Sequence, residues 1–219
     1  MPSIQLRLAT GSALIVAGVL VFVALANALP MGTPIRPWDQ AITDTLYAWV
    51  SPQARQMFAA LTHLADPRTL TVLCVLGTLV LLAQRQHALA LTWLLAIAGN
   101  GLLNLRLKQF IGRTRPLDPE GAMLAQGLSF PSGHSSGAVV TYGMLAYLAL
   151  RLLPKAWHLP ALLLALAAVL AVGASRVLLR VHFPSDVLAG FASGSAWLAL
   201  CVTSVELVFW WLARRAKPA

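Results

Sequence analysis

His182 and Asp186 stand four residues apart at the end of the stretch Ala174 to Asp186, which also carries Arg176 and Arg180. Pro184 between them fits the first turn of a helix, setting His182 just before that helix and Asp186 inside its first turn. A carboxylate so placed accepts a hydrogen bond from one ring nitrogen, fixes the tautomer, and leaves the other nitrogen free for attack. His134, in the stretch FPSGHSSG, supplies a second imidazole able to protonate a departing oxygen while His182 attacks phosphorus. One histidine near one aspartate is more often a structural hydrogen bond. A second histidine and several cations at the same depth favour chemistry.

The cations suit phosphate. Arg176 and Arg180 share a helical face, and a guanidinium pairs bidentately with phosphate oxygens. Arg176 is expected to reach the phosphate; Arg180, nearer the surface, is expected to touch a headgroup or a neighbouring acid. The stretch KQFIGRTRP adds Lys108, Arg113 and Arg115. Pro131 and Ser132 suit a helix entry, and Gly133 has no side chain to block a ligand. Free N–H groups and the positive dipole end of that helix would then face an anion. Singly, Ser132 also reads as an ordinary N-cap, and Lys108 and Arg115 as snorkelling residues.

These residues must be positioned by membrane-embedded helices. The 219-residue chain is 58% hydrophobic and 11% charged, against about 25% charged in soluble domains. The formal charge of +9 comes from sixteen scattered Lys and Arg that form no basic stripe, so nucleic acid is excluded as a partner. Cys74 and Cys201 fall inside apolar runs, which argues against a disulfide framework. At roughly 20 apolar residues per span, six candidates emerge, at 6–29, 67–84, 87–107, 134–153, 160–181 and 186–212. The apolar run of the first is too long for a signal-peptide core. Ile42, Leu46, Trp49 and Val50 recur with helical spacing in the polar connection after span 1, so short amphipathic helices are expected on the membrane surface there. The fold class is therefore all-α, a six-helix transmembrane bundle forming one domain over residues 1–219.

Six spans put both termini on one side. Their end of the bundle holds Arg7, Arg85, Arg151, Lys155, Arg214, Arg215 and Lys217 without an acid among its loops, while the opposite side holds six of the seven acids. Both termini are accordingly expected in the cytoplasm, with the cationic layer facing outward. The outer acids Asp39, Asp44, Asp66, Asp118 and Glu120 are dispersed, so no metal and no cofactor are expected. Asn100 and Asn104 share the face of Lys108 and are expected to make interhelical hydrogen bonds. Gly190 and Gly194 are expected at a close helix contact, and Glu206 is expected to snorkel or to pair with Arg214. His63 and Asp66, in the outer connection, read as a solvated loop face in preference to a headgroup contact.

Lys108 to Pro116 reads K-x6-R-P, Pro131 to His134 reads P-S-G-H, and Ser175 to Asp186 reads S-R-x5-H-x3-D. In series, with these internal spacings, the three motifs resemble the signature of the type 2 phosphatidic acid phosphatase (PAP2) family. The resemblance implies that Lys108, Arg115, Ser132, Gly133 and Arg176 bind phosphate. It implies that His182 forms a phosphohistidine, that Asp186 orients it, and that His134 is the general acid. The substrates it suggests are bacterial membrane lipids: undecaprenyl pyrophosphate first, with phosphatidylglycerophosphate, phosphatidate or lipid A phosphates as alternatives. The site would lie on the periplasmic face of the inner membrane. Transfer of phosphate to a lipid hydroxyl in place of water stays open, and so does an anionic-lipid transporter or scaffold that binds without cutting.

Overall fold

A computed structural model describes residues 3–30, 33–116 and 127–215. Its helices are α1 (Ile4–Asn27), α2 (Ile35–Trp49), α3 (Pro52–Thr62), α4 (Pro67–Ala83), α5 (His87–Ile111), α6 (Gly133–Leu152), α7 (His158–Leu178) and α8 (Pro184–Arg215). Short 3-10 turns, His63–Ala65 and Lys155–Trp157, lead into α4 and α7. No strand occurs among the described residues. Lys217, Asp118 and Glu120, which entered the charge reading, lie outside them.

Five helical runs are long and apolar enough to cross a bilayer: Ile4–Asn27, Pro52–Ala83, His87–Ile111, Lys155–Leu178 and Pro184–Arg215. The expected fourth span, α6, is long enough at about 30 Å but does not qualify by composition. The reason is its position. Helix α6 packs against α4, α5, α7 and α8, and Ser135, Ser136, Gly137 and Thr141 are buried along it. A helix enclosed by protein does not need a lipid-compatible surface, so its sequence carries small and polar residues where an outer helix carries Leu and Val.

Helix α2 is the amphipathic helix expected between the first two spans. Asp39 and Thr43 are buried against the bundle, whereas Trp38, Ile42, Leu46 and Trp49 are exposed. An apolar stripe turned away from the protein is what a helix lying on lipid requires. Elsewhere the packing relies on small residues. A Cβ on Gly190 would lie 2.6 Å from the Ser132 carbonyl oxygen, and one on Gly194 would lie 2.9 Å from that of Ser136, so α8 meets α6 backbone to backbone. Indole N–H groups join neighbouring helices, with Trp93 donating to the Cys74 carbonyl and Trp197 to that of Ala96, both at 2.9 Å.

At the far end, Glu206 of α8 binds Arg7 of α1 at 2.6 Å, accepts from Tyr147 of α6 at 2.7 Å, and lies 3.3 Å from Arg151. This corrects the expected pairing with Arg214, whose guanidinium stacks on Trp210 at 4.1 Å. A carboxylate on a helix with 7% exposure is satisfied by cations reached across the bundle, which a one-dimensional spacing along α8 does not reveal.

Candidate active site

The end of α5 shows how local sequence aims the site. Gly112 adopts φ +70°, a left-handed conformation that glycine takes without a Cβ penalty, and its N–H caps the Lys108 carbonyl at 2.9 Å. The chain therefore stops and turns within one residue, carrying Arg113 and Arg115 back across the bundle. Ser132 caps α6 by accepting from the Ser135 N–H at 3.3 Å. Between α7 and α8, the Val181 and His182 N–H groups both return to the Arg176 carbonyl, at 3.2 and 3.1 Å. Pro184 then opens α8.

Asp186 organises the layer. Its carboxylate accepts from Arg113 at 2.7 Å, from the Phe183 N–H at 3.0 Å and from His182 Nδ1 at 3.3 Å. Its backbone carbonyl accepts from the Ser132 N–H at 2.9 Å, tying the start of α8 to the start of α6. With Nδ1 facing the carboxylate, His182 turns Nε2 toward Arg115, which donates to it at 3.0 Å. That contact requires a lone pair on Nε2, so the imidazole is neutral with its proton on Nδ1. Burial, then the charges of Arg115, Arg176, Lys108 and His134, hold His182 well below its ordinary pKa of 6.5.

A cavity of about 630 Å³ joins these groups. Its polar end is lined by Lys108, Arg115, Gly133, His134 and His182, and it extends between α4 and α5 along Leu70, Val75, Leu94 and Ile97. Lys108 donates to the Leu128 and Ser129 carbonyls at 2.6 and 3.2 Å, and Arg115 to the Val181 carbonyl at 2.6 Å. Arg176 is 3% exposed, donates to Thr62 at 2.5 Å, and has no partner for its buried Nε among the described residues. Among the described residues, Lys108, Arg115 and Arg176 make no ion pair with a carboxylate. By contrast Arg113 pairs with Asp39 and Asp186, and Arg180 with Asp44, the acid neighbour expected of it. Three cations without counter-charges beside two imidazoles form an anion site.

Not every expected residue lines the cavity. Ser132 is fully buried and its hydroxyl serves the α6 cap, also accepting from the Ser135 hydroxyl at 2.9 Å. Arg176 and Asp186 stand behind the lining, Asp186 acting on it through His182. Asn100 and Asn104 line the cavity and donate to Ser136 at 3.4 and 3.3 Å, the interhelical bonding expected of them.

Two roles were not legible in the sequence. Arg113 is 6% exposed, bridges Asp39 of α2, Ser185 and Asp186, and stacks on Phe183 at 4.3 Å. Its position within the K-x6-R-P stretch was the available signal. Asp66, read as part of a solvated face, accepts from His134 Nε2 at 2.8 Å and bonds His63 Nδ1 at 2.5 Å. Nothing in the spacing links residue 66 to residue 134.

Phosphatidylglycerophosphatase B of Bacillus subtilis (strain 168) is 34% identical over 177 residues, covering 80% of this chain and 86% of that protein. A lipid A 1-phosphatase of Rhizobium etli is 31% identical over 161 residues, covering 62% of this chain and 64% of that one. The crystal structure of a transmembrane PAP2 type phosphatidylglycerolphosphate phosphatase from Bacillus subtilis matches with a TM-score of 0.83 at 31% identity, over 89% of this chain and 96% of that one. The pattern of the PAP2 superfamily matches residues 89–210, more than half of the chain. The segments that bring Lys108, Arg115, His134 and His182 to the cavity all fall inside that match, and the chain belongs to the PAP2 superfamily.

Proposed function

We propose that this protein hydrolyses a phosphate ester or pyrophosphate on a membrane lipid through a phosphohistidine on His182. The observation that carries the reading is the His182–Asp186 dyad, whose imidazole lines a cavity beside which Lys108, Arg115 and Arg176 make no ion pair with a carboxylate among the described residues. Phosphoryl oxygens take over the Arg115 and Lys108 donors, exposing the Nε2 lone pair in line with phosphorus, while Asp186 stabilises the positive charge that develops on the ring. His134 protonates the departing oxygen and afterwards deprotonates the attacking water. The Gly133 N–H, at the start of α6, supplies a further donor, with Ser132 shaping that turn. The cations carry the transition-state charge. Turnover is therefore expected to continue in excess chelator.

An apolar stem leading from a cationic head suits a lipid whose tail stays in hydrocarbon while its headgroup enters the site. The names of the Bacillus subtilis relatives favour phosphatidylglycerophosphate as substrate; an outward-facing site favours undecaprenyl pyrophosphate. We place residues 1–219 in one domain of six spans in the bacterial inner membrane, with both termini cytoplasmic and the site periplasmic. A scaffold or transporter reading leaves the dyad without a purpose, since binding an anion requires no oriented nucleophile.

The test is phosphate release by purified protein from phosphatidylglycerophosphate, undecaprenyl pyrophosphate and phosphatidate in matched detergent. His182→Ala is expected to bind lipid and to lose roughly 10⁴-fold or more in kcat. Turnover retained in that variant removes the nucleophile assignment.

A further inference from the structure

We propose that Asp66 is the positioning residue of the general acid, so that the phosphoryl site is served by two carboxylate–imidazole pairs, Asp186–His182 and Asp66–His134. This rests on the assignment of His134 as the acid. Asp66 occupies the N-cap position of α4, yet its side chain makes no capping bond. Both its oxygens go to imidazoles: Oδ1 to His134 Nε2 at 2.8 Å and Oδ2 to His63 Nδ1 at 2.5 Å. Helix capping therefore does not account for the residue. His134 Nδ1 makes no hydrogen bond among the described residues, and the ring lines the cavity shared with His182. Nδ1 is thus the nitrogen left for the substrate.

The charge pattern points the same way. A general acid must carry a proton, and His134 is faced by Arg176 from α7, by Arg115 from the segment after α5, and by Lys108 of α5 and His182 across the cavity. The guanidinium charges of Arg176 and Arg115 disfavour an imidazolium there. Asp66, backed by His63, is the one carboxylate bonded to His134 among the described residues.

The steps balance without moving a proton onto Asp66. As His182 Nε2 forms the P–N bond, the P–O bond breaks, and the leaving oxygen keeps the electron pair and takes the proton from His134 Nδ1. Water then adds to phosphorus, Nδ1 takes its proton back from that water, and the P–N pair returns to His182. The Nε2 proton stays on His134 throughout, donated as a hydrogen bond to the Asp66 carboxylate, which holds the ring and its tautomer as a buried aspartate does in a Ser-His-Asp triad.

The experiment compares a lipid monophosphate, whose alkoxide must be protonated to depart, with para-nitrophenyl phosphate, whose phenolate leaves unaided. His134→Ala, Asp66→Asn, Asp66→Glu and His63→Ala are measured on both, with thermal unfolding in detergent as a folding control. Asp66→Asn is expected to lower kcat on the lipid by about 10²-fold, to change KM little, and to leave the aryl phosphate within a few-fold. Asp66→Glu is expected to restore part of the loss and His63→Ala to show a weaker form of it. On the lipid, the alkaline limb of kcat is expected at lower pH in Asp66→Asn, because the imidazolium has lost its counter-charge. Should His134→Ala discriminate between the substrates while Asp66→Asn loses both equally, or keeps its alkaline limb in place, Asp66 is a structural ion pair and the proposal is overturned. Should His134→Ala itself fail to discriminate, the assignment of the acid falls, and the proposal with it, by a different result.

Discussion

As the proposed nucleophile, His182 meets two demands that burial sets against each other. A nucleophile needs an available lone pair, and an imidazole with 1% exposure among cations keeps one by refusing a proton. Its pKa lies well below 6.5, first through burial and then through Arg115, Arg176, Lys108 and His134. Nitrogen-15 NMR of the labelled ring is therefore expected to report a neutral imidazole with Nδ1–H at pH values below 6.5. A titration centred near 6.5 contradicts the contacts described. The consequence for stability follows from proton binding. The unfolded ring takes up a proton as pH drops through 6.5 while the folded ring does not, so the contribution of this residue is complete above 6.5 and declines below it. Acid unfolding in His182→Ala is expected to begin at lower pH.

At the scale of elements, the site depends on how closely α6 and α8 approach. The Ser132 N–H to Asp186 carbonyl bond joins the two helix starts, and this closeness exists because Gly190 presents no Cβ to the Ser132 carbonyl. Gly190→Ala puts a methyl 2.6 Å from a backbone atom that cannot rotate away. Overpacking of this kind costs about 1–3 kcal/mol. A lower unfolding temperature is expected, with a larger fall in kcat than in lipid affinity, because the displacement separates His134 from His182 before it disturbs the apolar stem. Wild-type kcat in a destabilised Gly190→Ala protein removes this coupling.

For the whole molecule, the controlling feature is a cavity that runs from an apolar stem between α4 and α5 to a cationic end. On the proposed function, a lipid tail entering there would exchange one hydrocarbon environment for another, which concentrates the energy of recognition at the phosphate. Ala98 lies on the α5 wall of that stem. Ala98→Trp is expected to raise KM several-fold for a long-chain lipid phosphate and to leave a short-chain, water-soluble one unchanged, as steady-state assays on the two substrates will show. Equal effects on both place the entry route elsewhere. The opposite end is closed by Glu206 with Arg7, Tyr147 and Arg151, which joins α1, α6 and α8. The start of α1 and the end of α8 therefore share the side away from the site.

Local physics carried much of this into the sequence. Hydrocarbon tolerates only apolar surface, so the outer helices were legible as apolar runs, and their ends agree with α1, α4, α5, α7 and α8 to within a few residues. The His182–Asp186 contact was legible because the two residues meet through one turn of backbone, a distance that local geometry sets. What links distant segments was not. Asp66 meets His134, Arg113 joins Asp39 to Asp186, and Glu206 selects Arg7 over Arg214 because helices far apart in sequence are neighbours in the bundle. A buried charge takes whichever partner packing brings within about 3 Å, and packing is a property of the assembled helices alone.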